Sequence, residues 1–123
     1  ATTASGGVAS FSNFGKTSVH LFAPGERIVS SDAFNSSGST IKNGTSQAAP
    51  MVSAVLANFS GKKKNISASA LEQKLFKSLK PSQQLAGVSV SGSLLASGMT
   101  RKITRLSPKA RSLRSSSVDH VTG

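Results

Sequence analysis

A chain of 123 residues, 37% of them hydrophobic and none of them cysteine, has room for one modest core and excludes disulfide frameworks, thiolate metal sites and cysteine nucleophiles. The formal net charge of +11 is uneven, with nine Lys and Arg against three acids over residues 1–100 and six against one over 101–123. The six Phe, without Tyr or Trp, are not interleaved with the basic clusters, so there is no base-stacking platform, and weak polyanion contact through the tail is all that the charge supports.

In chain order, the opening on Ala1, without a charged start, an apolar leader or a cleavage pattern, predicts a piece of a longer protein. Val19 to Phe22 and Arg27 to Ser30 are apolar and β-branched and are separated by Pro24-Gly25, which predicts two short strands. Asn35-Ser36-Ser37-Gly38 is a turn cluster, Thr40-Ile41 resumes extended character, and Asn43-Gly44 breaks the chain. Val52, Val55, Leu56 and Phe59 then fall at helical spacing, which predicts a helix from about Ser46 to Gly61. Lys62, Lys63 and Lys64 follow at its C-terminal end, where cations suit the helix dipole.

Ser69-Ala70-Leu71-Glu72 fits a capping box, and Leu71, Leu75, Phe76 and Leu79 continue a second amphipathic helix until Pro81. Val88 and Val90 alternate with Ser89 and Ser91 between Gly87 and Gly92, which predicts a closing strand within 85–95. From Arg101 the apolar residues are too scattered to offset the entropy of ordering the chain, so 1–100 reads as the folded part and 101–123 as a disordered basic, Ser-rich tail. No apolar run reaches the roughly 18 residues of a membrane-spanning helix. Four asparagines, Asn35, Asn43, Asn58 and Asn65, open N-x-Ser/Thr triplets.

The chemistry sits in Asn43-Gly44-Thr45-Ser46-Gln47-Ala48-Ala49-Pro50, which places a serine where an extended segment meets a helix. Gly44 permits a tight backbone there, and Pro50 lacks the donor that would bond back to the Ser46 carbonyl, so Ser46 stands at the helix tip. A helix N-terminus offers unpaired N–H groups and the positive end of a dipole to a developing oxyanion. The same position is also an ordinary place for a capping serine.

The whole string resembles the serine-region signature of the subtilisin-like serine proteases, the subtilases, matching at Gly44-Thr45-Ser46, Ala48 and Pro50. Val8-Ala9-Ser10-Phe11-Ser12-Asn13-Phe14-Gly15 resembles a family segment upstream of it, and Val19-His20-Leu21-Phe22-Ala23-Pro24-Gly25 resembles a family strand. The resemblance implies a three-layer α/β fold with a mostly parallel sheet, and hydrolysis of a peptide or protein substrate through an acyl-enzyme on Ser46. It gives the Ser46 backbone N–H a second role as oxyanion donor, with Thr45 as auxiliary and Gly44 as support. It favours a secreted or extracellular location and implies no catalytic cofactor; structural calcium occurs in the family, and no residue here is assigned to it.

Departures from the pattern are Gln47 for Met, Met51 for His, Asn43 for Ser and His20 for Asp. The family orders its triad Asp, His, Ser. Before Ser46 the chain has only His20 and Asp32, in the wrong order, and Asp119 and His120 are adjacent tail residues that cannot orient one another on Ser46. The expected partner is therefore a missing N-terminal part of the catalytic domain that carries the acid and the base. The alternatives are a non-catalytic binding or structural relative and a basic polyanion-binding protein.

Overall fold

The computed structural model describes residues 1–34, 36–61, 65–96 and Met99. Lys62, Lys63, Lys64 and the basic tail lie outside the described residues. The element order is β1 (Ile28–Ser31), β2 (Ser39–Lys42), α1 (Thr45–Ser60), α2 (Ala68–Ser78), β3 (Lys80–Pro81), a 3-10 turn (Gln83–Leu85) and β4 (Ser93–Leu94).

Helix α1 follows the apolar stripe. Val55 is buried, and Val52, Leu56 and Phe59 pack against a core of Ala1, Ala9, Ala23, Ala48, Val55, Leu75 and Leu95. Helix α2 buries Leu75 and is tied to α1 by Lys74, whose Nζ stands 4.7 Å from the Phe59 ring centroid. Its cap is Ser67 rather than Ser69. The Ser67 hydroxyl accepts the Ala70 N–H at 3.2 Å, while Ser69 lies inside the first turn. Two serines at alternate positions compete for this role, and the one whose backbone is extended, with φ −70° and ψ 156°, takes it. The helix ends at Ser78, just before the Lys80-Pro81 pair that cannot extend it.

Strands β1 and β2 form an antiparallel hairpin in which Val29 faces Ile41 and Ser30 faces Thr40. The turn closes through the Asp32 N–H donating to the Gly38 carbonyl at 3.1 Å, and Gly38 takes φ 69°. Strands β3 and β4 form a second antiparallel pair.

The mostly parallel sheet expected from the sequence is thus not what the described residues form, since both ladders are antiparallel. Parallel pairing is confined to two isolated bridges, Thr2 with Pro24 and Phe22 with Leu94. The segment 22–25 lies between them: Thr2 N–H donates to Ala23, Gly25 N–H to Thr2, Phe22 N–H to Ser93 and Leu95 N–H to Phe22, at 2.8–3.1 Å. Parallel neighbours need a long crossover, and the one between Phe22 and Leu94 carries both α1 and α2. Alternation along the middle segment puts Leu21 and Ala23 with the helix-side cluster, while buried Phe22 falls outside it.

The closing strand is also shorter than the alternation predicts, since only Ser93–Leu94 is strand. Ser89 is buried and Val90 is 52% exposed, the reverse of an apolar-inward strand. Gly87 and Gly92 take φ 78° and 56°, and the Ser89 hydroxyl accepts the Gly92 N–H at 3.1 Å, so the stretch folds into turns that satisfy themselves locally.

Candidate active site

The tip of α1 is built by three contacts. Gly44 takes φ 155° and ψ 160°, a conformation essentially reserved for glycine, and donates its N–H to the Gly25 carbonyl at 2.8 Å. Gly25 permits that approach, because a Cβ there would stand 2.6 Å from Ala1 Cβ and 2.7 Å from the Gly44 carbonyl oxygen. Asn43 Oδ1 accepts the Arg27 N–H at 2.6 Å, which fixes the base of the hairpin against the residue that precedes the turn into α1.

Ser46 is the second residue of α1 and is exposed. Among the described residues, neither its hydroxyl nor the N–H groups of Thr45 and Ser46 have a hydrogen-bond partner, whereas the Gln47 and Ala48 N–H groups both reach the Gly44 carbonyl. Pro50 lies inside the helix and leaves the Ser46 carbonyl without its usual donor. No acidic side chain occupies the first turn to neutralise the positive end of the dipole. The site is thus an exposed hydroxyl beside unpaired donors, suited to an anion or an oxyanion.

Two cavities flank the tip. One, of about 270 Å³, is walled by Ile28, Val29 and Ser30 of β1 and by Ser46, Gln47, Pro50 and Met51. The other, of about 200 Å³, is mainly apolar and includes Thr45, Asn13, Leu21 and Val52. Thr45 and Ser46 therefore border different cavities. Ala1 also borders the second cavity. Its backbone nitrogen donates to Ser12 Oγ at 2.6 Å.

His20 and Asp32 are not brought to this tip. His20 borders a groove of about 360 Å³ with Leu56, Leu71, Glu72 and Phe76, between the two helices. Asp32 turns the hairpin, its Oδ1 accepting the Phe34 N–H at 3.0 Å. Asp119 and His120 lie outside the described residues. Among the described residues there is no group of three or more His, Asp or Glu that could hold a metal ion, and no helix is long and apolar enough to cross a membrane.

The roles of Gly25 and Asn43 were missing from the sequence reading of the site. A signal for Gly25 existed in Pro24-Gly25, which reads as punctuation between strands until the helix start is seen to rest on it. No curated protein matches the chain. The model of the subtilase family does: it aligns with residues 1–112, which include every segment that shapes the tip of α1, and the chain belongs to that family.

Proposed function

We propose that the chain is the serine-bearing, C-terminal part of the catalytic domain of a subtilisin-like serine endopeptidase, with Ser46 as the nucleophile that attacks the scissile carbonyl. The observation that carries this reading is an exposed, unengaged Ser46 hydroxyl at the tip of α1 beside its own unpaired N–H, in a chain of the subtilase family. The N–H would donate to the oxyanion as the acyl-enzyme forms, and Gly44 supplies the backbone that points it outward. Thr45, adjacent to Ser46 at the helix tip, is the auxiliary donor where its hydroxyl reaches the same oxyanion.

The acid, the base and the remaining oxyanion donor belong, in this reading, to an N-terminal part of the protein. That part also supplies the neighbours of segment 1–3 that would extend the two parallel bridges into a three-layer fold with a mostly parallel sheet. The protein acts outside the cell on a peptide or protein substrate, and residues 101–123 form an appendage to the catalytic domain at 1–100 that makes weak polyanion contact.

Loss of the histidine or the serine from such a site costs on the order of 10⁶-fold in turnover. The isolated chain should therefore not hydrolyse peptides measurably, and a fluorophosphonate probe should leave Ser46 unlabelled. The same probe should label Ser46 once the N-terminal part is supplied, and Ser46→Ala should abolish the signal. Labelling of the isolated chain would show that another base serves Ser46. Absence of labelling in a folded, complemented protein would favour a non-catalytic binding or structural relative, as would an N-terminal part lacking the acid and the base.

A further inference from the structure

The four N-x-Ser/Thr triplets are not equivalent in the fold. Asn35 lies outside the described residues, and the other three asparagines are treated differently. Asn43 is engaged, accepting the Arg27 N–H at 2.6 Å next to the glycine that starts α1. Asn43 is three residues before Ser46, so a glycan on its side-chain nitrogen would crowd the start of α1. Asn58 is half-buried on α1 beside Phe59, which packs against the core. Sugar on a half-buried side chain would disturb the packing around it.

Asn65 is exposed in the turn between the helices and has no side-chain partner among the described residues. Its φ of 65° is the left-handed region that asparagine tolerates better than most side chains. Two residues on, the exposed Ser67 hydroxyl accepts from Ala70 N–H, which leaves its own hydrogen free to be donated. Fourteen helical positions separate Ser46 from Ser60, a rise of about 21 Å, so this turn is at the far end of α1 from the candidate site.

We infer that, of the three asparagines in described triplets, Asn65 is the N-glycan acceptor and Asn43 and Asn58 are not. The inference rests on passage through a secretory pathway that transfers lipid-linked oligosaccharide, and it is independent of whether Ser46 is catalytic. In the transfer, the Asn65 side-chain nitrogen bonds to the anomeric carbon of the sugar. The bond from that carbon to the pyrophosphate oxygen breaks with its electron pair on the lipid pyrophosphate, and the amide nitrogen loses one proton. A glycan placed during synthesis on Asn58 must disturb a half-buried position and one on Asn43 crowds the start of α1, whereas Asn65 carries it on an exposed turn.

The test is secretion of the full chain from a eukaryotic host, followed by peptide N-glycosidase in heavy-oxygen water and peptide mass mapping, which marks each formerly occupied asparagine as a labelled aspartate. Asn65 should be occupied in most secreted chains, with Asn43 and Asn58 bare. Asn65→Gly suits the left-handed backbone and should abolish the label at this turn with secretion unchanged, while Ser67→Thr retains both the triplet and the cap and should keep it. A bare Asn65 in the unsubstituted secreted chain, or a glycan on Asn43 or Asn58, would overturn the inference, and the unsubstituted chain decides the matter even if Asn65→Gly is secreted poorly. Because the mapping does not involve activity, its outcome and that of the fluorophosphonate labelling are read separately.

Discussion

Replacing Gly25 with alanine is expected to destabilise the chain by about 2–4 kcal/mol. The added Cβ would lie 2.6 Å from Ala1 Cβ, 2.7 Å from the Gly44 carbonyl oxygen and 3.3 Å from Ala48 Cβ. None of these atoms is the free end of a long side chain, so the backbone must move. Overpacking of this kind costs about 1–3 kcal/mol. The movement that relieves it also stretches the Gly25 N–H bond to Thr2, at 3.1 Å, and the Gly44 N–H bond to Gly25, at 2.8 Å. Each contributes about 1 kcal/mol. With a urea slope of about 1–3 kcal/mol/M, the unfolding midpoint followed by helical circular dichroism should fall by about 1 M or more. Gly61→Ala is the control. Gly61 has φ −63° and ψ −15°, and among the described residues a Cβ there would meet only the Ala57 carbonyl oxygen at 3.5 Å. That substitution should be neutral or stabilise by up to about 1 kcal/mol through the unfolded chain. A Gly25→Ala midpoint equal to that of the parent, or both variants shifting alike, would refute the close-approach account.

Two further outcomes follow from particular contacts. Ser67→Ala should lower stability by about 1 kcal/mol, because it leaves the Ala70 N–H without its acceptor, whereas Ser69→Ala should cost less than half as much; equal effects in urea unfolding would refute the cap assignment. Lys74→Gln keeps most of the stem but removes the cation from over the Phe59 ring, and should cost about 0.5–1 kcal/mol, an effect that disappears in a Phe59→Leu background if the ring is its cause.

The strongly periodic parts of the fold were legible in the sequence. The stripe Val52, Val55, Leu56, Phe59 sets one face of α1, and the small-residue cluster before Gly38 sets the hairpin turn, because each depends on neighbours within a few positions. The glycine before the serine was legible for the same reason. The closing segment was misread because the Val and Ser alternation between Gly87 and Gly92 suits a strand only if both glycines stay extended, and both instead take positive φ. The cap was misplaced by two residues because Ser67 and Ser69 are chemically equal, and only the backbone entering the helix distinguishes them. At the candidate site, the serine was readable from local order, but its support by Gly25 and by the Asn43 contact with Arg27 depends on residues 16 or more positions apart that no short pattern brings together.

The bridge between Phe22 and Leu94 has a kinetic consequence. It joins positions 94 − 22 = 72 residues apart, so closing it costs about 4 kcal/mol of chain entropy beyond a length-independent constant, before any contact compensates. The helices within that loop need only local contacts, and the hairpin closes over a few residues. They can form in microseconds, whereas the Phe22 to Leu94 pairing must wait for a correctly folded loop to bring its ends together. During that interval the edge at 19–25 is open, and substitutions that stabilise α1 and α2 shorten the exposure without touching the edge itself.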